Sequence, residues 1–232
     1  MNQIIITAIL LLGSIAMIAQ DSEERTFDSF HGVSVSASVD AQLIKGNRNH
    51  VLIEVENYDL DDVKTEVSGG ILKVGMKSKN NWNLGWSKKK KVKATITYKD
   101  ELDYLSVGAS ADLVADHIIE SDELEISVSS SGDMTVEVDV RRLDASISSS
   151  GDLYIKGTAD KAKVRASSSA DFEGKRLKVG DADLKASSSA DISIHVSGDL
   201  KASASSSADI EYYGNPTNKD ISKSSSGTVD GH

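Results

Sequence analysis

Apolar and polar residues alternate along most of the chain. Leu124, Ile126 and Val128 alternate with Glu125, Ser127 and Ser129, and Leu143, Ala145 and Ile147 with Asp144, Ser146 and Ser148. Beyond each serine run the alternation resumes, through Met134, Val136 and Val138 in one place and Leu153 and Ile155 in another. A period of two predicts strands with one buried face. The intervals between them are too short for a useful helix. Residues 27–76 alternate as well, with turn signals at Gly46-Asn47 and Ser68-Gly69-Gly70.

One segment punctuates these strands again and again. It reads GASADL at 108–113, SSSGDM at 129–134, SSSGDL at 148–153, SSSADF at 167–172, SSSADI at 187–192 and 205–210, and SSSGTV at 224–229. From Asp112 through Asp133, Asp152, Asp171, Asp191 and Asp209 to Thr228, the steps are 21, 19, 19, 20, 18 and 19 residues. A short strand-only repeat stacks into a solenoid, each coil pairing with the next. The expected fold is therefore all-β, a parallel β-helix or β-solenoid behind an N-terminal β-strand section, right-handed by the crossover rule. Residues 104–229 supply about seven coils of 18–21 residues, a rod of roughly 30–35 Å. Residues 21–103 form the N-terminal section, in which Val33, Val35 and Val39-Asp40 loosely echo the repeat.

Alternation carried through the repeat assigns a role to each column. It turns the middle serines Ser130, Ser149, Ser168, Ser188, Ser206 and Ser225 inward, as a hydrogen-bonded ladder. The next small column mixes Gly132, Gly151 and Gly227 with Ala170, Ala190 and Ala208. Alanine is disfavoured at positive φ, so size is the constraint there. The Asp column faces outward and stacks like charges about 5 Å apart, costing roughly 1 kcal/mol per neighbouring pair in water-like surroundings. Capping of turn N–H groups by the carboxylates is the plainer compensation; bound cations are the other.

Composition agrees with a thin, repeated core. Of 232 residues, 39% are hydrophobic and only 5% aromatic. With no cysteine, disulfides and thiolate chemistry are excluded. A net charge of −10 argues against nucleic acid and against anionic membranes as partners. Residues 4–19 are an unbroken apolar run, and charge begins at Asp21. Residues 1–20 are therefore expected to be a signal peptide, cleaved near Ala19 or Gln20, although the opening MNQ lacks the usual basic residue. No later stretch approaches the ~20 apolar residues of a spanning helix.

Candidate chemistry is sparse. His31, His50, His117, His195 and His232 make no zinc spacing, and no GxSxG, SxxK or phosphate-loop pattern occurs. Uniformly repeated carboxylates do not supply the two unlike environments of an acid–base pair. No catalytic residue, metal site or cofactor is expected. One segment stands apart: KSKNNWNLGWSKKKK at 77–91 carries Trp82, Trp86, Lys88, Lys89, Lys90 and Lys91. It reads either as a solvated hairpin tip with its tryptophans packed back, or as a contact for a glycan, lipid head group or protein.

The opening FDSFHGVSVSASVDAQLIKG, the strand pair ending at ILKVGM, the LDYLSVGASADL junction and the SSSGD/SSSAD coils together resemble the putative auto-transporter adhesin, head GIN domain family. The resemblance runs from about residue 27 to 229. It implies a pectin-lyase-like right-handed β-helix, export from a bacterium and a role in cell adhesion, with no catalytic residues. The expected function is thus a non-catalytic module of the cell envelope, in the periplasm, on the outer membrane or outside the cell. It would bind an extracellular glycan or surface protein through a repetitive face. The alternative is a polysaccharide-active β-helix lyase or hydrolase; Arg165 and Arg176 are the only arginines past residue 142, which leaves it few cations for a cleft. The last coil shows no obvious polar cap, and an open end invites pairing. Either another copy or the segment Tyr212–Asn218 is expected to cover it.

Overall fold

A computed structural model describes residues 6–7, 21–77 and 91–232. The strands are β1 (Ile6–Thr7), β2 (Asp21–Thr26), β3 (Gly32–Val35), β4 (Val39–Lys45), β5 (His50–Glu56), β6 (Val63–Ser68), β7 (Ile71–Met76), β8 (Lys91–Tyr98) and β9 (Tyr104–Val107). They continue as β10 (Asp112–Val128), β11 (Asp133–Ser148), β12 (Asp152–Ser167), β13 (Asp171–Ser187), β14 (Asp191–Val196), β15 (Asp199–Ser205), β16 (Asp209–Tyr213), β17 (Asn218–Ser224) and β18 (Thr228–Gly231). From β9 onward every pairing is parallel and joins one coil to the next, the pattern of a β-solenoid.

Register converts the repeat into columns. Leu113, Met134, Leu153, Phe172, Ile192, Ile210 and Val229 stack on one another and are buried. Burying one such side chain contributes about 1.5–3 kcal/mol, so a core of one residue per coil per column needs few aromatics. Each of β10 to β13 also bends partway along. In β11, Arg141 and Arg142 both face solvent between buried Val140 and Leu143. Two successive outward residues turn the strand and keep its inner face continuous.

The serine corner differs from the alternation extended through it. Ser130 and Ser131 have φ of 55° and 58°, and every later serine pair repeats this. The Gly132 N–H donates to the Ser129 carbonyl at 3.1 Å, giving the geometry of a type I′ turn. Two consecutive left-handed residues swing both side chains outward. Ser130, Ser149, Ser168, Ser188 and Ser206 are therefore exposed, and the inward serine ladder does not form. The small column lies inward without positive φ, as its alanines imply. A Cβ on Gly132 would come within 2.9 Å of Val107 Cγ1 and 3.0 Å of the Gly108 nitrogen. The corners also tie the coils together: the Ser131 N–H donates to the Ser149 carbonyl at 3.0 Å, and the Asp133 N–H to the Ala111 carbonyl at 3.0 Å. These turn N–H groups are satisfied by backbone carbonyls, while the backbone N–H groups of Asp171 and Asp209 also support the Asp152 and Asp191 carboxylates.

The solenoid begins earlier than the repeat. Ala37 and Ser38 form the same left-handed pair, followed by inward Val39 and outward Asp40. Asp40 pairs with Asp112, and Gly32 to Val35 pair with Tyr104 to Val107. Beyond this coil, β7 and β8 stack on β3 and β4. The sheet therefore has no break at residues 103/104. That end is closed by antiparallel strands, β5 on β8, β2 on β5 and β6 on β7.

At the other end, Tyr212–Asn218 belongs to the stack: Tyr212 pairs with Ile194 and Gly231, and Asn218 with Asp199. It does not fold over the end. Instead, the last rungs of three core columns are Lys219, Ile221 and Lys223, under Leu200, Ala202 and Ala204. Lys219 Nζ lies 5.6 Å from the Tyr212 ring centroid, and Lys223 reaches Asp230 at 3.9 Å. The missing polar cap is thus present, as charges at inward positions of an edge strand.

Candidate functional site

Two surfaces flank the serine corner, one before it in each coil and one after. The surface after it carries the Asp ladder, which register extends to Asp40, Asp112, Asp133, Asp152, Asp171, Asp191 and Asp209. Among the described residues, Lys91 reaches Asp40 at 3.1 Å and the Thr228 hydroxyl donates to Asp209 at 2.8 Å, and between these ends the Asp171 and Asp209 backbone N–H groups support the Asp152 and Asp191 carboxylates. Partial burial, then the charge of the neighbouring rungs, raises the carboxyls of Asp112, Asp152, Asp171 and Asp191 above the ordinary carboxylate range. In the next outward column Tyr154 is 49% exposed. The Asp152 charge, with lesser help from burial and nearby carboxylates, pushes its phenol up. Among the described residues no group of three or more His, Asp or Glu side chains is placed to hold a metal ion.

The surface before the corner is a groove of about 1000 Å³ running along the stack. Its floor is a core column, Leu124, Leu143, Ala162, Ala182 and Leu200, nearly buried on every rung. The small alanines at its centre make room between the leucines. One wall runs through Glu123, Arg142, Lys161, Asp181 and Asp199, the other through Glu125, Asp144, Lys163, Asp183 and Lys201. These walls mix signs. Arg142 pairs with Glu123, Arg165 with Asp144 at 2.8 Å, and Lys161 with Asp181 at 3.3 Å. The Asp199 backbone N–H, donating to Asp181 at 3.0 Å, and the Lys161 ammonium hold the Asp181 carboxyl below its usual range. At one mouth, His31 and Asp103 are hydrogen-bonded at 2.6 Å, which raises the imidazole.

Of the residues singled out from sequence, Asp133, Asp152, Asp171, Asp191 and Asp209 form one continuous face, with the exposed serines along its edge. Trp82, Trp86, Lys88, Lys89 and Lys90 lie outside the described residues. Lys91 opens β8 beside Asp40. The groove residues were not singled out. Their signal is KAK at 161–163 and DAD at 181–183, which lie one coil step apart.

Comparison with known proteins agrees with this architecture. Solved structures of similar fold include a putative adhesin from Bacteroides fragilis, with 17% identity, a TM-score of 0.78 and coverage of 95% of this chain and 100% of that one. A putative adhesin from Parabacteroides merdae has 20% identity and a TM-score of 0.68, covering 92% and 96%. A protein described as a putative lipid binding protein from Parabacteroides distasonis has 20% identity and a TM-score of 0.69, covering 92% and 96%. No curated protein matches the chain. The family described as "Putative auto-transporter adhesin, head GIN domain" matches residues 29–216, which span the first serine corner, every central coil and both charged surfaces, and the chain belongs to that family.

Proposed function

We propose that the chain is an exported, non-catalytic binding module of the cell envelope that holds an extended glycan or protein along the groove beside its serine corner. The observation that carries this reading is the groove itself. Each wall sets one charged residue per coil, of varying sign, so weak contacts add along a polymer. The apolar run at residues 4–19 supports export. The family's adhesin description supports a surface role. A lipid ligand, the description carried by one structural neighbour, fits less well, because the groove floor is nearly buried and both walls are charged. The 77–91 segment is a second proposed contact on composition, with Trp82, Trp86 and Lys88 to Lys91 offering stacking and positive charge.

The test is incubation of the protein with envelope and host-surface polymers, polysaccharide and protein, reading retention and new reducing ends together. Retention without new ends supports the proposal. New reducing ends would replace it with the polysaccharide-active alternative. Weaker retention by a Trp82→Ala, Trp86→Ala double variant with unchanged folding supports the second contact, and unchanged retention removes it.

A further inference from the structure

We propose that the centre of the groove is a subsite for a zwitterionic stretch of glycan, with an ammonium and a carboxylate on neighbouring sugars. Lys161-Ala162-Lys163 on one coil lies in register with Asp181-Ala182-Asp183 on the next. Two cations therefore face two anions across one rung spacing of about 4.8 Å, over a floor of alanine.

The two walls are not equivalent. Lys161 and Asp181 pair at 3.3 Å, and Asp181 also accepts the Asp199 N–H, so that wall satisfies itself. On the other wall, Lys163 makes no ion pair among the described residues, although it is in register with Asp183. Among the described residues Asp183 Oδ1, a covered atom of a half-buried side chain, has no hydrogen-bond partner. A buried acceptor left unmade costs on the order of 1–3 kcal/mol, more when charged, and such a group in a native fold calls for a partner. With the Asp183 carboxylate turned into the groove that it lines, a ligand ammonium there and a ligand carboxylate at Lys163 satisfy both at once. A ligand of one sign satisfies one residue and repels the other.

Glycan is favoured over polypeptide by the direction of the groove. It runs across the strands, whose backbone groups already pair coil to coil on both sides. No free edge is offered, so a peptide cannot add as a strand and would leave its own amides unpaired. A polysaccharide has no such obligation and keeps its outer hydroxyls in water.

The inference rests on the groove reading above, and the experiment separates the two. The probes for titration calorimetry at pH 6 and low salt are four. They are an N-deacetylated hyaluronan hexasaccharide bearing alternating carboxylate and ammonium, the parent hyaluronan hexasaccharide, a chitosan hexamer and an alternating Lys-Asp hexapeptide. The zwitterionic sugar should bind the full chain at least tenfold more tightly than the other three. Asp183→Asn and Lys163→Gln should each weaken it about tenfold, with melts showing both variants folded; Lys163 is exposed, so its variant tests the subsite even if the first misfolds. Equal or tighter binding of either single-sign sugar, no loss in the folded variants, or tighter binding of the peptide would overturn the proposal. If an envelope polymer is retained while the zwitterionic sugar does not bind, the subsite falls and the binding role stands. If nothing is retained, both fall.

Discussion

The Asp ladder and the groove are built by one rule and end with opposite electrostatics. Both are outward columns with one residue per coil, on either side of the same serine corner. Along the ladder each rung carries the same residue, so stacking places like charges together from Asp112 to Asp191, and among the described residues no ion pair reaches Asp133, Asp152, Asp171 or Asp191. In the groove, residues change from coil to coil, and stacking brings Arg142 to Glu123 and Lys161 to Asp181. Sequence conservation within a solenoid column is thus an electrostatic cost when the residue is charged. Variation within a column is the way to relieve it.

The change that should damage both surfaces most is Gly157→Ala. Gly157 has φ of 116°, and a Cβ there would lie 1.9 Å from the Val138 carbonyl oxygen. Backbone strain and forced separation of two coils should together cost about 3 kcal/mol, and the melting temperature should fall by roughly 10 °C. An unchanged thermal melt would contradict the register on which the comparison stands.

The corner comes next. Ser168→Val puts a β-branched residue at φ of 60° and should cost about 1–2 kcal/mol in denaturant titration. Ser168→Gly should be neutral or stabilising, because the hydroxyl is exposed and glycine accepts that φ freely. Loss of stability on Ser168→Gly would restore a structural role to the serine side chain.

Charge reversal should act with opposite signs on the two surfaces. Lys161→Glu sets a carboxylate beside Asp181 and should lower stability by at most about 1 kcal/mol. Asp171→Lys inserts a cation between Asp152 and Asp191 and should raise it by a similar amount. Paired melts at low and high salt check this, the two shifts shrinking together as salt screens them.

The smallest effect is a pH dependence that divides the surfaces by window. The ladder carboxyls titrate higher in the folded chain than in the unfolded one. Their destabilising contribution is therefore full at neutral pH and disappears as pH falls through the raised values toward the ordinary carboxylate value of about 3.9. Asp181 is shifted downward, so its contribution is present above the ordinary value and is lost only as pH falls below it. Stability should rise slightly on mild acidification and fall on stronger acidification. Asp152→Asn with Asp171→Asn should flatten the first limb and leave the second, as read by melts from pH 7 to 3.

Much of this architecture is legible in the sequence. Alternation around Leu124–Val128 and the steps of the Asp column define strands and coils, and the three alanines identify a size limit at the corner. The direction of Ser130 was not legible. Paired left-handed residues usually announce themselves as Asn-Gly or Gly-Gly, and Ser-Ser carries no such mark. Here the conformation is held by the stacked corners, each receiving a backbone hydrogen bond from its neighbour. The groove was hidden for a different reason. Lys163 and Asp183 lie 20 residues apart in sequence, and only the register, with its shift in β12–β13 pairing between Tyr154 and Lys156, makes them neighbours.

The lysines that end the core columns bear on how long such a molecule can be. A stacked array has no intrinsic stopping point, since each coil offers the next the surface it was itself built on. Here the stop is encoded in one coil: Lys219 and Lys223 stand where a further coil would need apolar residues. The coil at 218–224 therefore resists an apolar coil stacked on it, whereas the interior coils do not. Duplication of an interior coil, such as residues 167–186, would lengthen both charged surfaces by one rung and leave both ends intact. Duplication that included residues 218–224 would bury two ammonium groups in the middle of the core.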